Sequence, residues 1–268
     1  MTYEMIELKR DNSIAWLTLN RPAALNALSS KMVDELEHFL SSLRTDDTTR
    51  VVIMRGAGRS FCAGLDLKEQ EIARPGGLGA MTDTYEFQRR MSDLVITIRR
   101  APQPFIAAIK GSASGGGFSL ALACDVRIAG ESARMNAAFI RIGLGGADMG
   151  TSYMLPRTVG SSVAYELLLT GRFINAERAL RTGLVSEVVP DDQLDAAADR
   201  LAQDMIETSP LGLRMTKECI VANIDAPSLE AALAIEDRNQ TLCLRAGYLN
   251  EGAQAFIEKR KPRFAPRA

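Results

Sequence analysis

The sequence predicts an α/β layered core followed by a helical region, and three patterns carry that prediction. Short apolar runs of strand composition alternate with helical stretches up to residue 190. Helical periodicity dominates after residue 191, and two glycine-rich loops each leave a predicted strand.

Taken in order, IAWLTL (14–19) is the first strand-like run. Residues 30–43 then place Met32, Val33, Leu36, Phe39, Leu40 and Leu43 on one face at helical spacing. That phase turns His38, the only histidine, to the opposite and wet face. VVIM (51–54) reads as the second strand and exits into GAGRSFCAGLDLK (56–68), at the kind of strand end where α/β proteins bind ligands. ARPGGLGA (73–80) reads as a loop, and helical spacing resumes over 82–100. There Met81, Tyr85, Phe87 and Met91 fit a pocket lining and ordinary core equally well. FIAAI (105–109) is the third strand and leads into GSASGGGFSLALACD (111–125), three consecutive glycines at the mouth of an apolar helix. VRIA (126–129) and LVSEVV (184–189) complete the strand-like runs.

Beyond 191, LDAAADRLAQDMIET, PLGLRMTKECIVANI and SLEAALAIEDRNQTLCL follow one another, with Ser209 and Pro210 placed as a cap and a preset first helical residue. The chain thus divides into 1–190 and 191–268. The second part has many apolar positions and no sheet of its own, so it is expected to pack on the core or on another subunit.

Composition narrows the function. A net charge of -1 with 24% charged residues gives no global bias toward nucleic acid or an anionic membrane. No uncharged apolar run approaches the ~18 residues of a membrane-spanning helix. The opening MTYEMIELKRDN lacks the pattern of a secretory signal, and Cys62, Cys124, Cys219 and Cys243 lack disulfide or metal spacing, so a cytoplasmic location with reduced thiols is expected. A single histidine on a wet face makes a histidine-activated nucleophile or a zinc site hard to build, and no metal is expected.

The two glycine loops carry the chemistry. Bare N–H groups at the mouth of a helix can meet a developing anion, and two loops can offer one N–H each to a single carbonyl oxygen. The competing reading is that the glycines only allow close packing or mark a turn. No lysine follows the triplet and the first loop lacks a nucleotide fingerprint, which argues against a phosphate cradle.

FCAGLDLK resembles the AGxDLK loop of the crotonase (enoyl-CoA hydratase/isomerase) superfamily, and GSASGGGFSLALACDVRIA resembles its GGG segment. LNRPAALNALS (19–29), IGLGGADMGTSYMLPRTVG (142–160), LTGRFINAERALRTGLVSEVV (169–189) and AFIEKRKPRF (255–264) extend the similarity over almost the whole chain. The resemblance implies a spiral of ββα turns, a C-terminal helical region that mediates trimer contacts, and commonly a hexamer of two trimers. It implies an acyl-CoA substrate, with coenzyme A arriving as part of that substrate and no separate cofactor. The thioester carbonyl would sit between the N–H groups of Ala63 and Gly116. Asp66 and Lys68 match positions close to CoA, though both also suit a surface turn. In the basic end Lys259, Arg260, Lys261, Arg263 and Arg267, Lys259 matches a 3′-phosphate contact, and Phe256 would lie beside the adenine.

The same resemblance bears on the reaction. Ser119 and Phe139 occupy the positions of the two glutamates of family hydratases, which removes both the base for water and the acid for Cα. Asp148 matches the single acid of the one-carboxylate isomerases, so the expected reaction is a 3-enoyl to 2-enoyl shift. One carboxylate can take a proton at C2 and return it at C4, with Phe139 helping to exclude water. Three alternatives stand: Asp148 capping a helix that begins near Gly150, a hydratase of low activity, and a non-catalytic acyl-CoA-binding protein. Aroyl-CoA dehalogenases place a nucleophilic aspartate at this position, but they need a histidine and a pocket tryptophan, whereas His38 and Trp16 lie elsewhere. Cys62 has no evident base beside it and reads as a bystander thiol.

Overall fold

The computed structural model describes residues 2–69 and 81–264, so the 73–80 loop and Arg267 fall outside the described residues. A six-stranded sheet forms the centre, in the order β1 (Ile6–Asp11), β2 (Ile14–Leu19), β3 (Val51–Gly56), β4 (Phe105–Ile109), β6 (Val126–Gly130) and β9 (Glu187–Val189). β1 pairs antiparallel with β2, Ile6 opposite Leu19, and every later neighbour is parallel. β5 (Ser112–Ser114), β7 (Arg134–Asn136) and β8 (Ile174–Asn175) make a smaller sheet beside it.

Parallel strands bury both faces, and β3 shows how. Val52 and Met54 face one apolar cluster with α1 (Ser30–Ser42), α2 (Met81–Arg100) and α3 (Gly116–Ala123). Val51 and Ile53 face another, where Leu194, Ala197, Ala198 and Ala202 of α7 (Leu194–Ile206) cover the sheet. The core therefore runs on to Ile206, and the division expected at 190 falls between the sheet and a helix that seals it. β1, whose pattern IELKRD is mostly charged, shows no clear strand signal because only Ile6 is buried. It is clamped instead: the buried Glu35 carboxylate of α1 accepts the N–H groups of Glu4 (2.9 Å), Met5 (2.8 Å) and Ile6 (3.0 Å). Of LVSEVV only the last three residues are strand, while Leu184 and Val185 are buried in the preceding turn.

α4 (Thr151–Val159), α5 (Ser161–Thr170) and α6 (Ala176–Arg181) precede β9 and α7, and α8 (Pro210–Asn223), α9 (Leu229–Arg245) and α10 (Tyr248–Ile257) follow. Ser209 caps α8 through its hydroxyl, with Pro210 at the first helical position. α8 is anchored by Lys217, whose Nζ pairs with Asp125 (2.8 Å) and donates to the carbonyls of Ile98 (3.1 Å) and Gln103 (2.8 Å). Burial lowers the proton affinity of Lys217 and the Asp125 carboxylate opposes it. Elsewhere the last three helices leave Ile220, Leu233, Leu242, Leu244, Leu249 and Phe256 exposed.

Candidate active site

The two glycine loops meet beyond the C-terminal ends of β3 and β4. Loop 56–68 is pinned from both sides. Cys62 bridges Ala113, donating to Ser112 O (3.0 Å) and accepting from Ser114 N (2.9 Å). Leu65 bridges Leu28, whose N–H reaches Gly64 O (2.7 Å) and whose carbonyl takes Asp66 N (3.0 Å). A trans peptide points its C=O and N–H in opposite directions. With the Gly64 carbonyl committed to Leu28, the Leu65 N–H points away from Leu28. Gly64 has φ of 94°, and a Cβ on it would lie 2.7 Å from Ser114 O and 3.4 Å from Gly116 N, so this peptide rests against the start of α3.

Ala63, the donor expected in this loop, is placed otherwise. Its N–H is spent on Leu25 O at 3.0 Å, whereas the Leu65 N–H has no backbone acceptor among the described residues. A motif shows that a loop can donate. It does not show which peptide faces inward, because that depends on the partners on either side.

At the mouth of α3, Gly115 takes φ of 51° and donates to Asn136 O (3.0 Å). The first bond within the helix is Ser119 N to Gly115 O (3.0 Å), so the N–H groups of Gly116, Gly117 and Phe118 stand outside the helical ladder. The glycines serve both readings weighed from the sequence. A Cβ on Gly117 would fall 2.3 Å from Cys62 O, so this residue is glycine for close packing. The three atoms nearest a Cβ on Gly116 would all be side-chain atoms, Leu28 Cδ1 (3.1 Å), Met149 Sδ (3.3 Å) and Met91 Cε (3.7 Å), which place apolar groups beside this residue.

Met149 brings Asp148 to this place. Residues 149 and 150 form a left-handed turn, φ 46° and 79°, ahead of α4. The Asp148 carboxylate, half-buried, accepts Met149 N (2.7 Å) and Gln88 Nε2 (2.5 Å), both on Oδ1. Its backbone carbonyl takes Thr151 N (3.0 Å) and Thr151 Oγ1 (2.9 Å). The helix cap is Gly150, with no side-chain bond to it, so the carboxylate does not cap α4. α2 lies along this turn with one face: Gln88 binds Asp148, Met91 reaches the space beside Gly116, and Val95 lies 3.6 Å from the Cβ position of Gly150.

The remaining expected residues are dispersed. Ser119 is fully buried, its hydroxyl 3.4 Å from Gly115 O, and the Phe139 ring, on a short 3-10 turn, packs 3.4 Å from the Cβ position of Gly115. Asp66 pairs with Arg21 (2.9 Å) and accepts the N–H groups of Lys68 and Glu69 (3.2 Å each). Burial pushes its carboxyl up, but the Glu69 N–H and Arg21 outweigh burial and hold it below the ordinary range, so Asp66 braces the loop. Lys68 is exposed beside it. Phe256 and Lys259 are exposed, and no described contact joins them to either glycine loop. Tyr248 at the start of α10 and Phe264 beyond its end pack edge to face instead and line a cavity of about 380 Å³ with Asn12 and Arg50, at the opposite end of the sheet.

Met81 and Tyr85 face solvent, Phe87 packs against the core, and of that set only Met91 reaches Gly116. His38 is exposed and bonded to Tyr3 Oη (2.8 Å), and Trp16 lies under Arg55. Burial pushes the Cys62 thiol up to about 12, so it is not a thiolate near neutral pH. Among the described residues no three His, Cys, Asp or Glu side chains group as metal ligands, and no helix is long and apolar enough to cross a membrane.

Sequence reasoning missed Leu65 and Gln88. For Gln88 a signal existed, since it lies three residues before Met91 and so shares its helix face. For Leu65 none did.

Comparison with known proteins adds the family. A family profile described as enoyl-CoA hydratase/isomerase matches residues 9–267. A Mycobacterium tuberculosis protein named probable enoyl-CoA hydratase EchA12 is 40% identical over 254 residues, 94% of this chain and 89% of its own. A 1,2-epoxyphenylacetyl-CoA isomerase of Escherichia coli is 35% identical over 254 residues, 95% of each chain. The crystal structure of an enoyl-CoA hydratase from Bacillus anthracis superposes with a TM-score of 0.92 at 34% identity, covering 98% of this chain and all of that one.

Proposed function

The chain belongs to the enoyl-CoA hydratase/isomerase family, an enzyme family, and from that premise we propose that it shifts a double bond in an acyl-CoA thioester. The observation that carries the reading is Asp148. Its turn shares the surroundings of the Gly116 amide, while Ser119 and Phe139 stand where family hydratases hold glutamates. The relatives include one named an isomerase, acting on 1,2-epoxyphenylacetyl-CoA, beside others named probable enoyl-CoA hydratase.

In this reading the thioester oxygen accepts the N–H groups of Leu65 and Gly116. Both are backbone donors fixed before the reaction, the arrangement that favours charge developing on oxygen. Asp148 takes a proton from C2, and the electrons of the C2–H bond pass into a dienolate held at the oxygen. The protonated carboxyl then gives that proton to C4, the double bond moves from C3–C4 to C2–C3, and the carboxylate is regenerated. Phe139, Leu28, Met91 and Met149 keep the reacting carbons in apolar surroundings. Lys68 stands at the rim for CoA. Phe256 and Lys259, which no described contact joins to the glycine loops within one chain, meet the nucleotide end of the ligand in a homotrimer or hexamer built on the exposed helices.

The test is the wild-type rate on a 3-enoyl-CoA against hydration of the matching 2-enoyl-CoA. Isomerisation is expected to exceed hydration by at least about 100-fold, the contribution typical of a missing acid or base. Faster hydration would overturn the reading. Acyl-CoA binding without turnover of either substrate would make the chain a binding protein.

A further inference from the structure

We propose that Gln88 is the positioning residue of the Asp148 carboxylate, holding one oxygen fixed so that the other is presented to the substrate. The inference rests on the reading of Asp148 as the acid/base. Its basis is the way the hydrogen bonds are distributed. Both donors that reach the side chain, Gln88 Nε2 at 2.5 Å and Met149 N at 2.7 Å, bind Oδ1. Among the described residues nothing donates to Oδ2, which has to serve both proton transfers.

A carboxylate held only by the N–H of the following residue can still rotate about χ2, a broad and roughly two-fold torsion. A second donor from a different element removes that freedom. Gln88 is well placed to do so because α2 is itself fixed against the site, by Met91 near Gly116 and by Val95 near Gly150. The same helix face thus sets the distance between the amide that holds the thioester oxygen and the carboxylate that handles the protons. Gln88 is exposed and belongs to no core cluster, so folding does not explain its contact. An uncharged amide suits the task, since it donates a hydrogen bond without competing for the proton being shuttled.

The test compares wild type, Gln88→Leu, Gln88→Asn and Asp148→Asn on a 3-enoyl-CoA carrying two deuterium atoms at C2. Gln88→Leu removes the donor, and Gln88→Asn keeps an amide that is one methylene too short to reach. Both are expected to lower kcat roughly tenfold with KM within about twofold, the signature of lost orientation. Both are also expected to deliver less of the C2 deuterium to C4, because a loosely held carboxyl exchanges with solvent before it returns the label. A thermal midpoint unchanged from wild type would show that the fold is intact. Unchanged kcat and equal label transfer in wild type and Gln88→Leu, with Asp148→Asn inactive, would overturn the positioning role alone. An active Asp148→Asn would overturn the acid/base reading and the positioning role with it.

Discussion

Asp148 and Asp66 are both loop carboxylates, yet their neighbours give them different work. Asp66 is saturated by Arg21 and two loop N–H groups, whereas Asp148 keeps one oxygen unengaged among the described residues. The identity of Asp148 as the residue to watch was legible in the sequence, since no other acid lies in the loop that leads into α4. Its detachment from the helix cap was not, because a left-handed Met149 had to be seen first. Asp46 offers a residue-scale check on the electrostatics. Burial works against its charge, but hydrogen bonds from Thr48 and Thr49 outweigh burial and hold its carboxyl well below the ordinary carboxylate range. A depressed carboxylate stabilises the fold above its unfolded pKa and loses that contribution as the pH falls through its folded value. Asp46→Asn is therefore expected to lower the melting temperature by about 2–4 °C at pH 7. The gap should narrow progressively below pH 3.8, as followed by thermal denaturation across a pH series; a gap that widens in acid would contradict the assignment.

At the scale of elements, α3 and its glycines make the sharpest prediction. Gly117→Ala drives a Cβ to 2.3 Å from a backbone oxygen and is expected to cost about 3 kcal/mol, seen as a lowered denaturant midpoint. Gly116→Ala meets the mobile ends of Leu28 and Met149 and should cost under about 1 kcal/mol. Its kcat should nonetheless fall roughly tenfold, because Met149 adjoins Asp148 and small displacements at a reacting centre are costly. Equal stability of the two variants would refute this division of labour between neighbouring glycines. The triplet was readable as a donor loop and as a packing device; only the contacts of each Cβ position assign the roles. The helix face of α2 was partly readable too, since periodicity placed Met91 there but could not say what Gln88 would reach.

Across the whole molecule, the parallel core was legible because strands buried on both faces, such as Val51–Met54, read as continuous apolar runs. The edge strand β1 was not legible, since its stability comes from the Glu35 clamp rather than from its own side chains. That the helical part would pack on the core or on another subunit was readable, but which helix seals the sheet was not, because the Leu194 and three alanines of α7 look like any amphipathic helix. Beyond it, Lys217 ties α8 to Asp125, and Lys217→Met, which leaves that carboxylate without its cation, should cost about 3 kcal/mol in equilibrium unfolding. In the proposed homotrimer or hexamer, the exposed leucines of α9 and the exposed apolar side chains of α10 are the surface that a neighbouring copy covers. Light scattering should give three or six times 29.1 kDa, and a monomer would contradict the assembly.

In the proposed function Asp148 performs the chemistry while backbone amides hold the thioester. That role is tested most directly by the turnover of a 3-enoyl-CoA by Asp148→Asn, with acyl-CoA affinity measured on the same preparation. A fall in kcat of at least about 100-fold is expected, the usual scale for losing a general acid/base, with affinity unchanged within a few-fold. Isomerisation persisting near the wild-type rate would contradict it.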